Sequence, residues 1–194
     1  MSVDVDIYDS RFFTNTIKLE EPSARAIADI LIRHFQPRSI VDIGCGCGIY
    51  LAALAKKGVE ILGYDGSPAA VAMSLAGDKI KLYDLCEPLS LDKKFDLCLC
   101  IEVAEHLPAK CADALLQTLT CAADKIIFTA ATPGQGPRSI GHINEQPHEY
   151  WVEKFKKLGF DLNLKLTQKI KAEMEEREAV WWVVKNLMIF ERII

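Results

Sequence analysis

Ser39-Ile40-Val41-Asp42-Ile43-Gly44-Cys45-Gly46-Cys47-Gly48 is the stretch whose reading decides the fold. Its first half is a short apolar strand, with Ile40, Val41 and Ile43, and its second half sets glycines at alternate positions. Glycine has no Cβ, so such a turn lets the backbone reverse sharply and lets a ligand approach the main chain. The following run, 49–57, is helical in character, and the free N–H groups at a helix start face the same turn. Strand, glycine turn and helix in that order open a nucleotide-type cofactor site.

Outward from the turn, strand-like and helix-like segments alternate. Upstream, Glu21-Pro22 supplies a first-turn proline for a helix whose apolar face is Ala26, Ile27, Ile30 and Leu31, ended by Gln36-Pro37. His34, late in that helix, reads as a packing or helix-end residue. Residues 1–20 show no clear period; Tyr8, Phe12 and Phe13 mark a flap there, or plain packing. Downstream come a strand over 59–64, a short helix opened by Ser67-Pro68, and a strand over 79–83. A nearly all-apolar strand over 95–101 suits burial on both faces. A helix over 108–122 and a strand over 125–129 follow, then a loop rich in glycine and proline, and a helix over 147–158 closed by Gly159. A strand over 160–166, a helix over 169–182 and a strand over 186–192 complete the chain. This alternation predicts a three-layer α/β sandwich in one domain spanning 1–194, its seven-stranded sheet mostly parallel with an antiparallel final strand.

The 194 residues are 50% hydrophobic with a formal net charge of −4, an ordinary composition for a globular domain. Mild acidity argues against extended nucleic-acid binding, which needs a basic surface. The N-terminus is acidic with no apolar core, so no leader is expected, and no apolar run is long enough to span a bilayer. The seven cysteines show no zinc-binding spacing, and Cys98 and Cys100 share a strand face. All seven are read as reduced, in a cytoplasmic protein.

The dinucleotide fingerprint is G-x-G-x-x-G, and here the third glycine comes one residue early. No Tyr-x-x-x-Lys pair supports an oxidoreductase either. The run Asp42-x-Gly44-x-Gly46-x-Gly48 resembles that of the class I S-adenosylmethionine-dependent methyltransferases, and the resemblance spans about residues 21–192. It implies a Rossmann-like fold with S-adenosylmethionine held by Asp42, Gly44, Cys45, Gly46 and Gly48. Asp65, followed by Gly66 some 20 residues on, ends the second strand, where a carboxylate accepts both ribose hydroxyls. By the same resemblance Asp84 and Leu85 meet the adenine, and Ile101 and Glu102 meet the methionine portion.

Methyl transfer is an in-line displacement at a sulfonium, so the enzyme aligns the nucleophile and removes its proton. The tetrapeptide of amino-directed methyltransferases, Asn/Asp-Pro-Pro-aromatic, does not follow the fourth strand. Glu102-Val103-Ala104-Glu105-His106 stands there instead. This E-x-x-E-H segment resembles ubiquinone-pathway O-methyltransferases and small-RNA 2′-O-methyltransferases. The resemblance implies a divalent metal on Glu102, Glu105, His106 and His142, with His148 as the spare histidine. Two carboxylates and two imidazoles suit Mn²⁺, Fe²⁺ or Zn²⁺ better than Mg²⁺. Three readings stand together: metal ligation, a His106 or His142 base without metal, and structural roles. The loop 129–149, with Arg138, His142, Asn144 and Glu145, is read as a substrate-side flap. The acidic run 173–178 reads as a solvated helix face, and Trp181 and Trp182 beside it as packing. The function expected is O-methylation of a small-molecule acceptor by a monomer or homodimer. The alternatives are 2′-O-methylation of an RNA terminus and a non-catalytic cofactor-binding module.

Overall fold

The structure is a computed structural model that describes residues 5–135 and 140–193. Arg138, placed above in the substrate-side flap, lies outside the described residues. Seven strands form one sheet: β1 Ser39–Ile43, β2 Glu60–Asp65, β3 Ile80–Leu82, β4 Leu97–Ile101, β5 Lys125–Thr129, β6 Phe160–Leu162 and β7 Met188–Arg192. Their order is β3-β2-β1-β4-β5-β7-β6. The first five are parallel, and β7 runs antiparallel to both β5 and β6. The helices are α1 Ser10–Phe35, α2 Ile49–Ala55, α3 Pro68–Ala72, α4 Ala112–Ala122, α5 His148–Lys157, α6 Leu164–Glu176 and α7 Trp181–Asn186.

Strand alternation sorts the core into two halves. Ile40, Leu97, Leu99 and Ile127 face α1, α2, α6 and α7, while Val41, Cys98, Cys100 and Phe128 face α4 and α5. Every residue of β1 and β4 is buried, as the all-apolar run over 95–101 requires. The chain winds outward from β1 through β2 to β3, and the other way from β4 to β5. The crevice at the carboxyl ends of β1 and β4 is therefore the switch point at which open α/β sheets bind ligands.

Three elements differ from the sequence reading. First, α1 is continuous from Ser10, with Pro22 inside it. Asp9 Oδ1 caps it by accepting the N–H groups of Arg11 and Phe12 at 2.8 and 2.9 Å. Its front half packs on the cofactor-side loops rather than on the sheet, so it carries no regular apolar period. Second, β6 stops at Leu162, because Asn163 caps α6 by accepting the Leu166 N–H at 3.0 Å. The expected helix over 169–182 is α6 and α7, separated by Glu178 at φ +54°. Third, not all cysteines are free: Cys86, after β3, is disulfide-bonded to Cys111, at the start of α4. The partners lie 25 residues apart on different elements, so spacing alone could not reveal them. No helix among the described residues is long and apolar enough to cross a membrane.

Candidate functional site

The glycine turn after β1 is tied to the end of β2. The N–H groups of Gly44 and Cys45 both donate to the Tyr64 carbonyl, at 2.8 and 3.1 Å. Gly44 has φ +82°, and a Cβ there would run into the Val103 side chain, so the turn has no room for one. Asp65 bridges two turns: Oδ2 accepts the Gly46 N–H at 2.7 Å and Oδ1 accepts the Ser67 N–H at 2.8 Å. Its carboxylate is thereby fixed at the mouth of the crevice. Burial raises its pKa, and those two N–H groups oppose the rise.

The crevice is a cavity of about 780 Å³. Asp42, Gly44, Cys45, Gly46, Asp65, Gly66, Asp84, Leu85, Ile101 and Glu102 all line it, as expected of cofactor residues. Gly48 does not; at φ +75° it is the N-cap of α2, and a Cβ there would meet Ile80 Cδ1 at 2.6 Å. Asp84 Oδ1 accepts the Cys86 N–H at 2.9 Å, which shapes the loop after β3.

Two carboxyls in the wall lack ordinary compensation. Asp42 is 1% exposed, and neither of its oxygens has a hydrogen-bond partner. Burial, then the neighbouring Asp65 and Glu20, push its pKa up to about 7. Glu20, from α1, accepts a hydrogen bond from Tyr50 Oη at 3.1 Å, and burial pushes it up to about 7 as well.

Glu102 sits just past β4 at φ +53°, a left-handed conformation that costs a non-glycine residue energy. Three hydrogen bonds hold it there. Its N–H donates to Thr129 Oγ1 at 2.8 Å, and Asn186 Nδ2 donates to Oε1 and Oε2 at 3.0 and 3.2 Å. Asn186 is fully buried and also donates to Gln135 Oε1 at 2.8 Å.

Next comes a 3₁₀ turn, Ala104–His106. His106 reaches the cavity wall, with Nδ1 hydrogen-bonded to Tyr8 Oη at 2.9 Å. Burial first, and then His142, push its pKa down to about 4, so the imidazole is neutral near pH 7. The two imidazoles meet edge to face with centroids 4.7 Å apart. His142 Nδ1 is in turn hydrogen-bonded to Glu145 Oε1 at 2.9 Å. Glu105 is fully buried; Oε1 accepts the Ala131 N–H at 3.0 Å and Oε2 has no partner. Burial and Glu102 hold its pKa well above the usual carboxylate range. The Glu105 carbonyl accepts the Ile143 and Asn144 N–H groups, and so draws the loop after β5 onto this turn.

Glu105, His106 and His142 place potential metal-ligating atoms within 4.8 Å of one another. Glu102 is not in that group, its oxygens being engaged by Asn186. His148 is not in it either; it opens α5, with Nε2 buried and unpartnered. Neither Glu105 nor His142 lines the cavity, and His106 alone of the three faces it. The sequence reading missed Glu20, Tyr50, Asn186 and Thr129. Only Tyr50 left a signal, as a polar-tipped residue in the otherwise apolar helix Ile49–Ala55.

The profile of a family described as a methyltransferase domain matches residues 17–166. The chloroplastic magnesium protoporphyrin IX methyltransferase of Arabidopsis thaliana is 28% identical over 102 residues, 49% of this chain and 33% of that protein. A ubiquinone biosynthesis O-methyltransferase of Psychrobacter arcticus is 32% identical over 125 residues, 58% of this chain and 44% of its own length. The chain thus spans less than half the length of these curated relatives. In fold it resembles the crystal structure of an S-adenosylmethionine-dependent methyltransferase from Archaeoglobus fulgidus. The TM-score is 0.66 at 19% identity, covering 93% of this chain and 99% of that one.

Proposed function

The chain belongs to the class I S-adenosylmethionine-dependent methyltransferases, and we propose that it transfers the cofactor's methyl group to an oxygen of a small-molecule acceptor. The observation that carries the reading is one cavity at the switch point, with Asp65 and the glycine turn at one side and the His106 imidazole in the same wall. Relatives named O-methyltransferases support oxygen as the target atom. A small acceptor is favoured over RNA because Lys110 is the one lysine or arginine among the described residues lining the cavity, so no basic surface for phosphates is built there.

In the reaction, the acceptor oxygen attacks the methyl carbon and the C–S bond breaks. Its electron pair stays on sulfur, and the hydroxyl proton leaves to a base. His106 is the candidate for that task as the imidazole in the cavity wall, which its burial holds neutral near pH 7. Tyr8 and the His142 ring hold it in place. Loss of a general base costs about 10²–10⁴ in rate.

A second reading has one specific observation behind it. The unpartnered Glu105 Oε2, together with the His106 and His142 rings, is a donor set that fits Mn²⁺, Fe²⁺ or Zn²⁺ better than Mg²⁺. Those three residues would hold the ion, which would supply Lewis acidity toward the acceptor hydroxyl. The metal-free reading is favoured because only His106 of the three lines the cavity.

The test begins with calorimetric titration of S-adenosylhomocysteine and, separately, of NAD. Binding of NAD without S-adenosylhomocysteine would sink the proposal. Transfer of radiolabelled methyl to a metabolite extract then follows in the parent chain, His106→Ala and His142→Ala. Both variants are expected to keep cofactor affinity and lose about a hundredfold or more in turnover. Undiminished transfer by His106→Ala removes the base, and transfer that survives exhaustive chelation removes the metal.

A further inference from the structure

Glu20 is the carboxylate in the cavity wall that a helix supplies. It comes from α1, lines the cavity beside Asp42 and Glu102, and is oriented by Tyr50 Oη at 3.1 Å. In the same wall is Asp42, nine-tenths and more buried, with both oxygens unpartnered. The neighbours that govern proton affinity at these two carboxyls are burial, Tyr50, Trp182 and other carboxylates, not a lysine or arginine. Three carboxylates gathered this way repel one another until a cation arrives.

The direction of the cofactor follows from the topology, given the methyltransferase reading on which this inference rests. Asp84 and Leu85 follow β3, Asp65 ends β2, and Glu102 follows β4 across the switch point. A ligand laid over these strand ends with its adenine toward β3 and its ribose on Asp65 brings its amino-acid end to Glu102, and so to Glu20 and Asp42. That end carries an ammonium and a carboxylate, three carbons from the sulfonium. We propose that Glu20 binds the cofactor's ammonium jointly with Asp42, so that α1 contributes a charge contact to cofactor recognition and is more than a cover.

The test compares two neutral-sulfur probes by calorimetry: S-adenosylhomocysteine, which has the ammonium, and 5′-methylthioadenosine, which lacks the amino-acid end. Glu20→Gln keeps the acceptor for Tyr50 and removes only the charge. It is expected to weaken S-adenosylhomocysteine about ten- to a hundredfold, the range of a charge-assisted hydrogen bond, and methylthioadenosine by less than about twofold. Its melting temperature should stay level or rise, since a charge held beside other carboxylates is gone while the Tyr50 hydrogen bond is kept. Equal loss for both probes, or a melting temperature that drops, would make Glu20 a structural residue and overturn the assignment. S-adenosylhomocysteine affinity unaltered in the variant would overturn it too, leaving the methyltransferase reading intact. Failure of the parent chain to bind S-adenosylhomocysteine would overturn both.

Discussion

Asp42 and Glu20 make the ligand-free fold sensitive to pH in a direction opposite to that of most carboxylates. Burial raises both to about 7. A carboxyl whose native pKa lies above its unfolded value stabilises the fold at pH below the unfolded value. That contribution is lost as pH rises through the native one. His106 has the opposite sign, its native value being about 4, and its contribution falls only as pH drops below the ordinary imidazole range near 6.5. Between pH 6.5 and 8 the carboxyls therefore set the trend. The melting temperature of the ligand-free protein should fall by a few degrees across that interval, at about 2–4 °C per kcal/mol for a chain of this size. Asp42→Asn should flatten the fall. A melting temperature that rises from pH 6.5 to 8 would show that these carboxyls are ionised without cost. Cofactor affinity should move the other way and strengthen as pH rises, because a cationic ligand selects the ionised carboxylates.

At the scale of elements, the segment after β4 joins the cofactor half of the site to the chemical half. Its backbone leaves the strand at Glu102 in a left-handed conformation, then turns through 104–106 to present His106. Asn186, from the end of α7, holds that corner by donating to both Glu102 oxygens from a fully buried position. Asn186→Ala strips a buried carboxyl of its donor, so chemical denaturation should show a loss of about 1–3 kcal/mol, with the His106-dependent rate falling more than cofactor affinity. A loss below about 0.5 kcal/mol, the level of an ordinary surface change, would show that Glu102 needs no such support. This corner also marks how far the sequence could be read. Glu102, Glu105 and His106 were legible as a local motif, and the resemblance added His142 to them. Asn186 lies 84 residues from Glu102, and its hydrogen bonds to it are tertiary contacts that no local pattern encodes. The parallel strands were legible because burial on both faces writes a continuous apolar run. The front of α1 was not, because Phe12, Phe13 and Ile17 pack on loops and the cavity rather than along one helical stripe. The Cys86–Cys111 bond was missed for the same reason as Asn186.

For the whole molecule, the question is how a cofactor reaches a cavity that the first helix covers. The back half of α1 is core: Ile27, Ile30 and Leu31 are fully buried against the sheet. The front half contributes Phe12, Phe13, Thr16, Ile17 and Glu20 to the cavity wall and rests on a small cluster of Phe13, Cys47 and Ala70. Pro22 divides the two, and a proline inside a helix removes one backbone hydrogen bond, which weakens the helix at that point. The same helix is thus anchored at one end and lightly held at the other. If the lightly held end parts from the strand ends as the ligand enters, ligand contacts then fasten it. Hydrogen exchange followed by mass spectrometry should therefore show S-adenosylhomocysteine slowing the amides of 10–20, with those of 24–35 and β4 little changed. At a hundredfold excess over Kd the ligand adds about 2.7 kcal/mol, which raises the melting temperature by about 5–10 °C at this chain length. Equal exchange over 10–20 with and without ligand, alongside the expected thermal shift, would mean that the cofactor enters without displacing α1. Tyr8 and Glu20 would then belong to a rigid wall, and the His106 pocket would open from the side of the loop after β5.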